Sequence, residues 1–266
     1  MVLMWIKRNK YKLIVGVFCA YLLTDMIWHK GLLRTMIPAD LPAYRTDSAF
    51  PASKSRLFNT NKEWVKGINS IALMDQLDKE TSGLECDIYF DQGRHFFDVH
   101  HDEGTSTGLN LDDLFTAYLK KGLGASVWLD FKNLDKDNSA EALTELNRLR
   151  AKYKLYEKLL VESSQAALLK SFSDSGYFTS YYVPQFNPYL MKKVEMKKWA
   201  DSVYENLQGS SVNALSGYYY QYSFLHKYFP KYPVLTWAPN DRFSLVNWLF
   251  RKQQGTEKSV FIALYP

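Results

Sequence analysis

Short apolar runs alternate with stretches of helical periodicity from about residue 64 to the end of the chain, and this alternation restricts the fold more than any other feature. The runs that read as strands are 64–69, 83–90, 125–131, 158–162, 177–183, 211–216, 232–237 and 258–265. Between them, 70–80, 110–121, 139–156, 164–175, 187–207, 217–228 and 241–254 place apolar residues at helical spacing. Asn138 before Ser139, and Asn240-Asp241, offer N-cap chemistry for two of these helices. Eight strands in strict alternation with seven helices imply a parallel sheet joined by right-handed crossovers. Eight such units close into a (β/α)8 TIM barrel. No Gly-x-Gly-x-x-Gly opens a helix after the first strand, which counts against an open dinucleotide-binding sheet. No helix follows the eighth strand, and the stalk at 34–61 is expected to cover the gap. A further run, 95–100, extends the second strand into a hairpin.

A barrel carries its chemistry at the carboxyl ends of its strands. Strand two holds Glu85 and Asp87, two residues apart and therefore on one face. Strand three holds Asp130 and Lys132 with the same spacing in an otherwise apolar run. The loop after the hairpin carries His100-His101-Asp102-Glu103, strand four ends in Glu162-Ser163-Ser164, and strand seven ends in Thr236-Trp237. Each feature alone fits a structural role, such as an Asp130–Lys132 ion pair or a solvated pair of histidines. Three acids from neighbouring strands facing one mouth are different, because burying carboxylates unpaired costs several kcal/mol per charge. A hard divalent cation, Mg2+ or Ca2+, removes that cost through its preferred oxygen ligands. Glu85, Asp87 and Asp130 are therefore the candidate metal ligands.

The segments GLECDI, VHHD and WLDFKN, in that order and spacing, resemble the glycerophosphodiester phosphodiesterase-like division of the PLC-like phosphodiesterase barrels. The form with Asp on strand three and Asn on strand one is similar to the sphingomyelinase D-like phospholipases and to the menorin family. The resemblance covers about residues 62–266. It implies a metal-dependent phosphoric diester hydrolase with Glu85, Asp87 and Asp130 on the metal. It also implies His101 as the general acid that protonates the departing oxygen and Lys132 as a phosphate ligand. Trp237 would line the pocket where a head group stacks, and Asn69 takes the strand-one asparagine position next to the substrate. The chain departs from the pattern at one place: Lys66 stands where the family carries the second histidine of the acid/base pair, so Lys66 and His101 are the catalytic candidates here.

Four of the five net positive charges lie in residues 1–12, a stretch without an acid, so the remainder is nearly neutral and has no electrostatic footprint for nucleic acid. The apolar run 13–28 follows, interrupted only by Thr24 and Asp25. Cleavage by a signal peptidase wants small residues here and Trp28-His29-Lys30 follow instead, which favours a single-pass anchor over the alternatives, a cleaved signal or a buried helix. The expectation is a basic cytoplasmic tail at 1–12, a signal anchor or transmembrane helix at 13–33, a stalk or linker at 34–61 and the barrel at 62–266. The positive-inside rule then puts the barrel outside the cytoplasm, at the cell surface, in a periplasm or in a lumen. Cys19 and Cys86 are the only cysteines and form no disulfide framework. Aromatic residues make up 16% of the chain, which suits sugar or lipid handling as well as packing.

These readings give a membrane-tethered phosphodiesterase acting on a glycerophosphodiester or phospholipid head group. The alternatives are a lapsed barrel that binds a metal or phosphate ligand at the membrane surface, and a purely structural barrel whose acids pair with protein cations. A glycoside hydrolase using Glu85 or Glu162 with Asp130 is a further option, but it leaves Lys132 and His101 without a role.

Overall fold

A computed structural model of the chain describes residues 2–44, 55–237, 241 and 243–265. The N-terminal part is helical: α1 runs from Val2 to Trp28 and α2 from Lys30 to Thr35. Then follow β1 (Glu63–Val65), α3 (Ile71–Gln76), β2 (Gly83–Asp91), β3 (Phe96–Val99), α4 (Leu111–Lys121) and β4 (Ser126–Phe131). The order continues with α5 (Ser139–Tyr153), β5 (Leu159–Ser163), α6 (Leu169–Asp174), β6 (Phe178–Tyr182) and α7 (Lys193–Leu207). It ends with β7 (Ala214–Tyr218), a 3-10 turn at Tyr219–Gln221, α8 (Tyr222–Tyr228), β8 (Val234–Trp237), α9 (Leu245–Thr256) and β9 (Val260–Tyr265).

Eight of these strands form a closed parallel barrel, the fold expected from the alternation. The hydrogen-bonded order is β1-β9-β8-β7-β6-β5-β4-β2, and Val65 against Leu84 pairs β1 with β2 to close the ring. β3 lies antiparallel on the outer half of β2, Ile88 facing Val99, as the expected hairpin. Alternate residues of each strand point inward. At the amino ends these are Trp64, Trp128, Leu160, Phe178, Ala214 and Ile262, which form one apolar cluster inside the barrel. Gly83 belongs to that layer because a β-carbon on it would lie 1.9 Å from the Trp64 ring. The opposite faces, such as Val127 and Leu129, pack outward under the helices.

Local chemistry sets the element boundaries. α4 starts at Asn110, whose side chain accepts from the Asp113 amide at 2.8 Å, and stops at Gly122 in the left-handed region. Asn138 stands before α5 as expected but does not cap it. Its amide instead donates to the Asn133 carbonyl at 2.6 Å and accepts from the Asp135 amide at 3.1 Å, tying the β4–α5 loop together. Asn240 lies outside the described residues, and α9 is capped by Ser244, which accepts from Asn247 at 2.9 Å.

The described parts of 34–61 lie against the barrel. Residues 34–44 run along its outside, where Arg34 donates to the Tyr189 carbonyl at 2.6 Å and Lys227 to the Leu41 carbonyl at 2.6 Å. Residues 55–61 cross the amino-terminal end, with Phe58 donating to the Glu157 carbonyl at 2.6 Å and Leu57 packed under the inner cluster. Residues 45–54 fall outside the described part. It is α2, most of it in the segment expected as the anchor and not the stalk, that packs on this side of the barrel, its buried Leu32 against Val246, Phe250, Val260, Ala263 and Tyr265.

Candidate functional site

The barrel mouth holds a cavity of about 90 Å3 lined on one side by acids and on the other by aromatic rings. β2 and β4 run in parallel register with Asp87 opposite Asp130, so their inward residues share one level. This brings Glu85, Asp87 and Asp130 together, with donor oxygens from all three within 4.8 Å of one another. One divalent cation can bridge oxygens at such separations, and carboxylates are the donors Mg2+ and Ca2+ prefer.

The acids are unequally satisfied. The Lys132 ammonium lies 2.7 Å from Asp87 and also contacts Asp130. Burial pulls the Lys132 ammonium down, but Asp130 and Asp87 outweigh it and hold the group well above the ordinary lysine range. Asn69 spends both ends of its amide on Asp87, donating to its carboxylate at 2.6 Å and accepting from its backbone N–H at 2.9 Å. The side chain expected to contact substrate is thus turned to an acid. Glu85, 2% exposed, accepts the Gly67 amide at 2.7 Å. Burial, then the charges of Asp87 and Asp130, push its carboxyl up to about 8. Asp130 is raised as well, first by burial and against the opposing pull of Lys132.

Gly67 explains why β1 is shorter than expected. Its φ of +74° turns the chain out of the strand after Val65 and aims its N–H at Glu85. Lys66 emerges at this turn with its ammonium 5.9 Å from the Trp237 ring, where its charge acts on Glu85 and Asp130. Trp237 in turn packs edge-on to Tyr218 at 4.8 Å and lies 5.6 Å from Tyr182. His101 reaches the same cavity from the loop after β3, its Nδ1 2.8 Å from Asp102. His100 turns the other way: it is buried, stacked on Tyr89 at 4.2 Å, and directed at Asp98. Among the described residues His101 is therefore the one imidazole lining the cavity.

Glu162 completes the mouth and was not among the expected metal ligands. It faces Asp130 across β4 and β5, is 2% exposed, and has one oxygen without a hydrogen-bond partner. Burial and the Asp130 charge raise its carboxyl well above the usual range, against a hydrogen bond from Ser216. The signal was present in the sequence as an acid ending an apolar strand. Only the barrel register shows that it shares a level with Asp130.

Comparison with solved structures finds the same barrel in phosphodiesterases. The chain is similar to a glycerophosphodiester phosphodiesterase from Parabacteroides distasonis, with 12% identity over 78% of this chain and 94% of that one at a TM-score of 0.50. It is also similar to a phosphodiesterase from Oleispira antarctica bound to its product sn-glycerol-3-phosphate, with 12% identity over 78% and 93% of the two chains and a TM-score of 0.52. No family model and no curated protein matches the chain. At such identities the likeness shows a shared fold, that of the glycerophosphodiester phosphodiesterase barrels.

Proposed function

We propose that this chain is a membrane-tethered phosphoric diester hydrolase that acts on a glycerophosphodiester or phospholipid head group with the help of Mg2+ or Ca2+. The observation that carries the reading is the convergence of Glu85, Asp87 and Asp130 within 4.8 Å at the mouth of a barrel whose solved counterparts include phosphodiesterases. Those three carboxylates would hold the cation, which supplies a Lewis acid for a phosphoryl oxygen. Asn69 and the Gly67 amide orient Asp87 and Glu85. Lys132, anchored between Asp87 and Asp130, places a fixed positive charge where a phosphate oxygen enters. Asp102 holds His101 at Nδ1, which leaves Nε2 to give a proton to the departing alcohol oxygen as water adds to phosphorus. Lys66, at the edge of the cavity, would take the proton released by that water, a role open to it only as the neutral amine. Trp237, with Tyr218 and Tyr182, forms the wall against which the head group packs.

The tether is α1. Its segment Asn9–Trp28 has a mean hydropathy of 1.4, is almost wholly exposed, and is long enough to cross a bilayer. The basic residues before it favour a cytoplasmic amino terminus and a barrel on the other side.

A second reading, a barrel that binds phosphate or metal without turnover, draws on the single imidazole in the cavity and on Lys66. One experiment separates the two. The full chain, in a phosphorus-free detergent, is followed by 31P NMR with glycerophosphocholine, lysophosphatidylcholine and sphingomyelin, first with Mg2+ or Ca2+ and then with EDTA. A new monoester or cyclic-phosphate resonance that EDTA abolishes is expected. Substrate lines that broaden with metal but yield no product would establish the binding barrel instead.

A further inference from the structure

The carboxyl-terminal half of α1 is fastened to one corner of the barrel, and that corner is at the mouth. Asp25 accepts from the Val246 amide in the first turn of α9 at 3.0 Å. His29 bridges Asp25 at 3.0 Å and Asp241 at 3.2 Å. The Tyr21 hydroxyl donates to the Phe243 carbonyl at 2.6 Å and accepts from the Leu245 amide at 3.2 Å. These partners follow β8, whose last residue is Trp237 of the cavity wall, so they belong to the carboxyl-end rim of the barrel. The interruption of the apolar run at Asp25 is thereby explained: it is a contact with α9 and not a lipid-facing charge.

This attachment fixes the height of the rim along α1. Tyr21 lies two helical turns before Trp28, a rise of about 10 Å. With Asn9–Trp28 in a bilayer, Phe243 is therefore held inside its margin and not above it. The side chains there suit such a place. The four most exposed large apolar residues outside α1, among the described residues, are Phe243 (90%), Leu190 (75%), Ile37 (68%) and Val194 (66%). Leu190 and Val194 belong to the stretch leading from β6 into α7, again at the mouth end, and Ile37 shares a surface groove with Tyr189 and Lys193 beside them. Scattered exposed apolar side chains are ordinary, but a set gathered at one end of a barrel marks an interaction surface. Lys192 and Lys193, between Leu190 and Val194, add cations of the kind that anionic head groups attract, although Lys193 already pairs with Asp40 at 2.8 Å.

We propose that this rim, with Phe243 and Leu190 at its tips, inserts into the bilayer that carries α1 and holds the open mouth of the barrel against the lipid head groups. The proposal rests on the reading of α1 as a membrane anchor. A site in this position meets phosphodiesters of the bilayer surface before those in solution, which narrows the substrate class to lipids.

The test is depth-dependent quenching in lipid nanodiscs with the full chain. A polarity-sensitive fluorophore is placed on the native Cys19, or, in a Cys19→Ser background, on Phe243→Cys, Leu190→Cys or Tyr156→Cys. Each is an exposed position at which a label is tolerated, and Tyr156 lies at the far end of the barrel. Lipids spin-labelled near the middle of the acyl chain are expected to quench Cys19, which lies halfway along Asn9–Trp28, and lipids spin-labelled near the head group to quench 243 and 190, while both leave 156 bright. Quenching at Cys19 with 243 and 190 as bright as 156 would overturn the seating while leaving the anchor intact. No quenching at Cys19 would overturn both.

Discussion

The two ends of the barrel interior are built from the same strands and obey opposite rules. Along β4 the inward side chain changes from Trp128 to Asp130, and along β5 from Leu160 to Glu162, two residues further on. The lower layer is apolar, excludes water and is sealed beneath by Leu57. The upper layer concentrates four acids, two of them, Glu85 and Glu162, with carboxyls pushed up by burial and by neighbouring acids, Asp130 among them in both cases. One layer contributes stability through packing. The other costs stability and is retained at the mouth, where a ligand can repay it.

Substitutions should therefore act with opposite character at the two levels. Trp64→Ala removes a fully buried ring from the lower layer and is expected to destabilise the fold by about 3–5 kcal/mol, measured by denaturant unfolding, with cation affinity kept in the folded fraction. Glu85→Gln leaves the fold intact but removes a cation ligand, and should lower EDTA-sensitive turnover about 100-fold or more in the 31P assay. If Glu85→Gln unfolds the chain while Trp64→Ala is harmless, the division between the layers is wrong.

A smaller effect is expected from pH. The Glu85 carboxyl has a folded-state value of about 8 against 4.5 when unfolded, so the folded form holds a proton that the unfolded form has lost. Stability without metal should fall as pH rises from about 4.5 to about 8, and the slope should flatten in Glu85→Gln. Divalent cation should oppose the fall above pH 7, which thermal unfolding at several pH values will show. The smallest change is expected for Glu162→Gln, because burial and the Asp130 charge favour the neutral form of the native carboxyl: stability should shift by about 1 kcal/mol or less in denaturant unfolding.

The sequence revealed these levels unequally. The barrel was legible because parallel strands buried on both faces read as continuous apolar runs, each broken by turn chemistry. Glu85, Asp87, Asp130 and Lys132 were legible because a spacing of two puts each pair on one strand face. Glu162 was visible only as a strand-ending acid, since its partnership with Asp130 depends on the register between two strands. The turn at Gly67 and the double bond of Asn69 to Asp87 depend on a positive φ and on rotamers, which leave no periodic trace. Residues 34–44 and 55–61 looked like a linker because they lack periodicity, yet they are held by long-range bonds such as Lys227 to Leu41 and Phe58 to Glu157. Asp25 looked like a flaw in an apolar helix because its partner, the Val246 amide, lies more than two hundred residues away.

The most direct test of the upper layer is a calorimetric titration of the full chain with Mg2+ and with Ca2+, repeated on Glu85→Gln. Binding of one cation per chain to the wild type, lost in the variant while its fold is retained, is the expected result. Identical titrations for the two proteins, or no heat from either, would mean that Glu85, Asp87 and Asp130 are held by Lys132, the Asn69 side chain and the Gly67 amide and form no cation site.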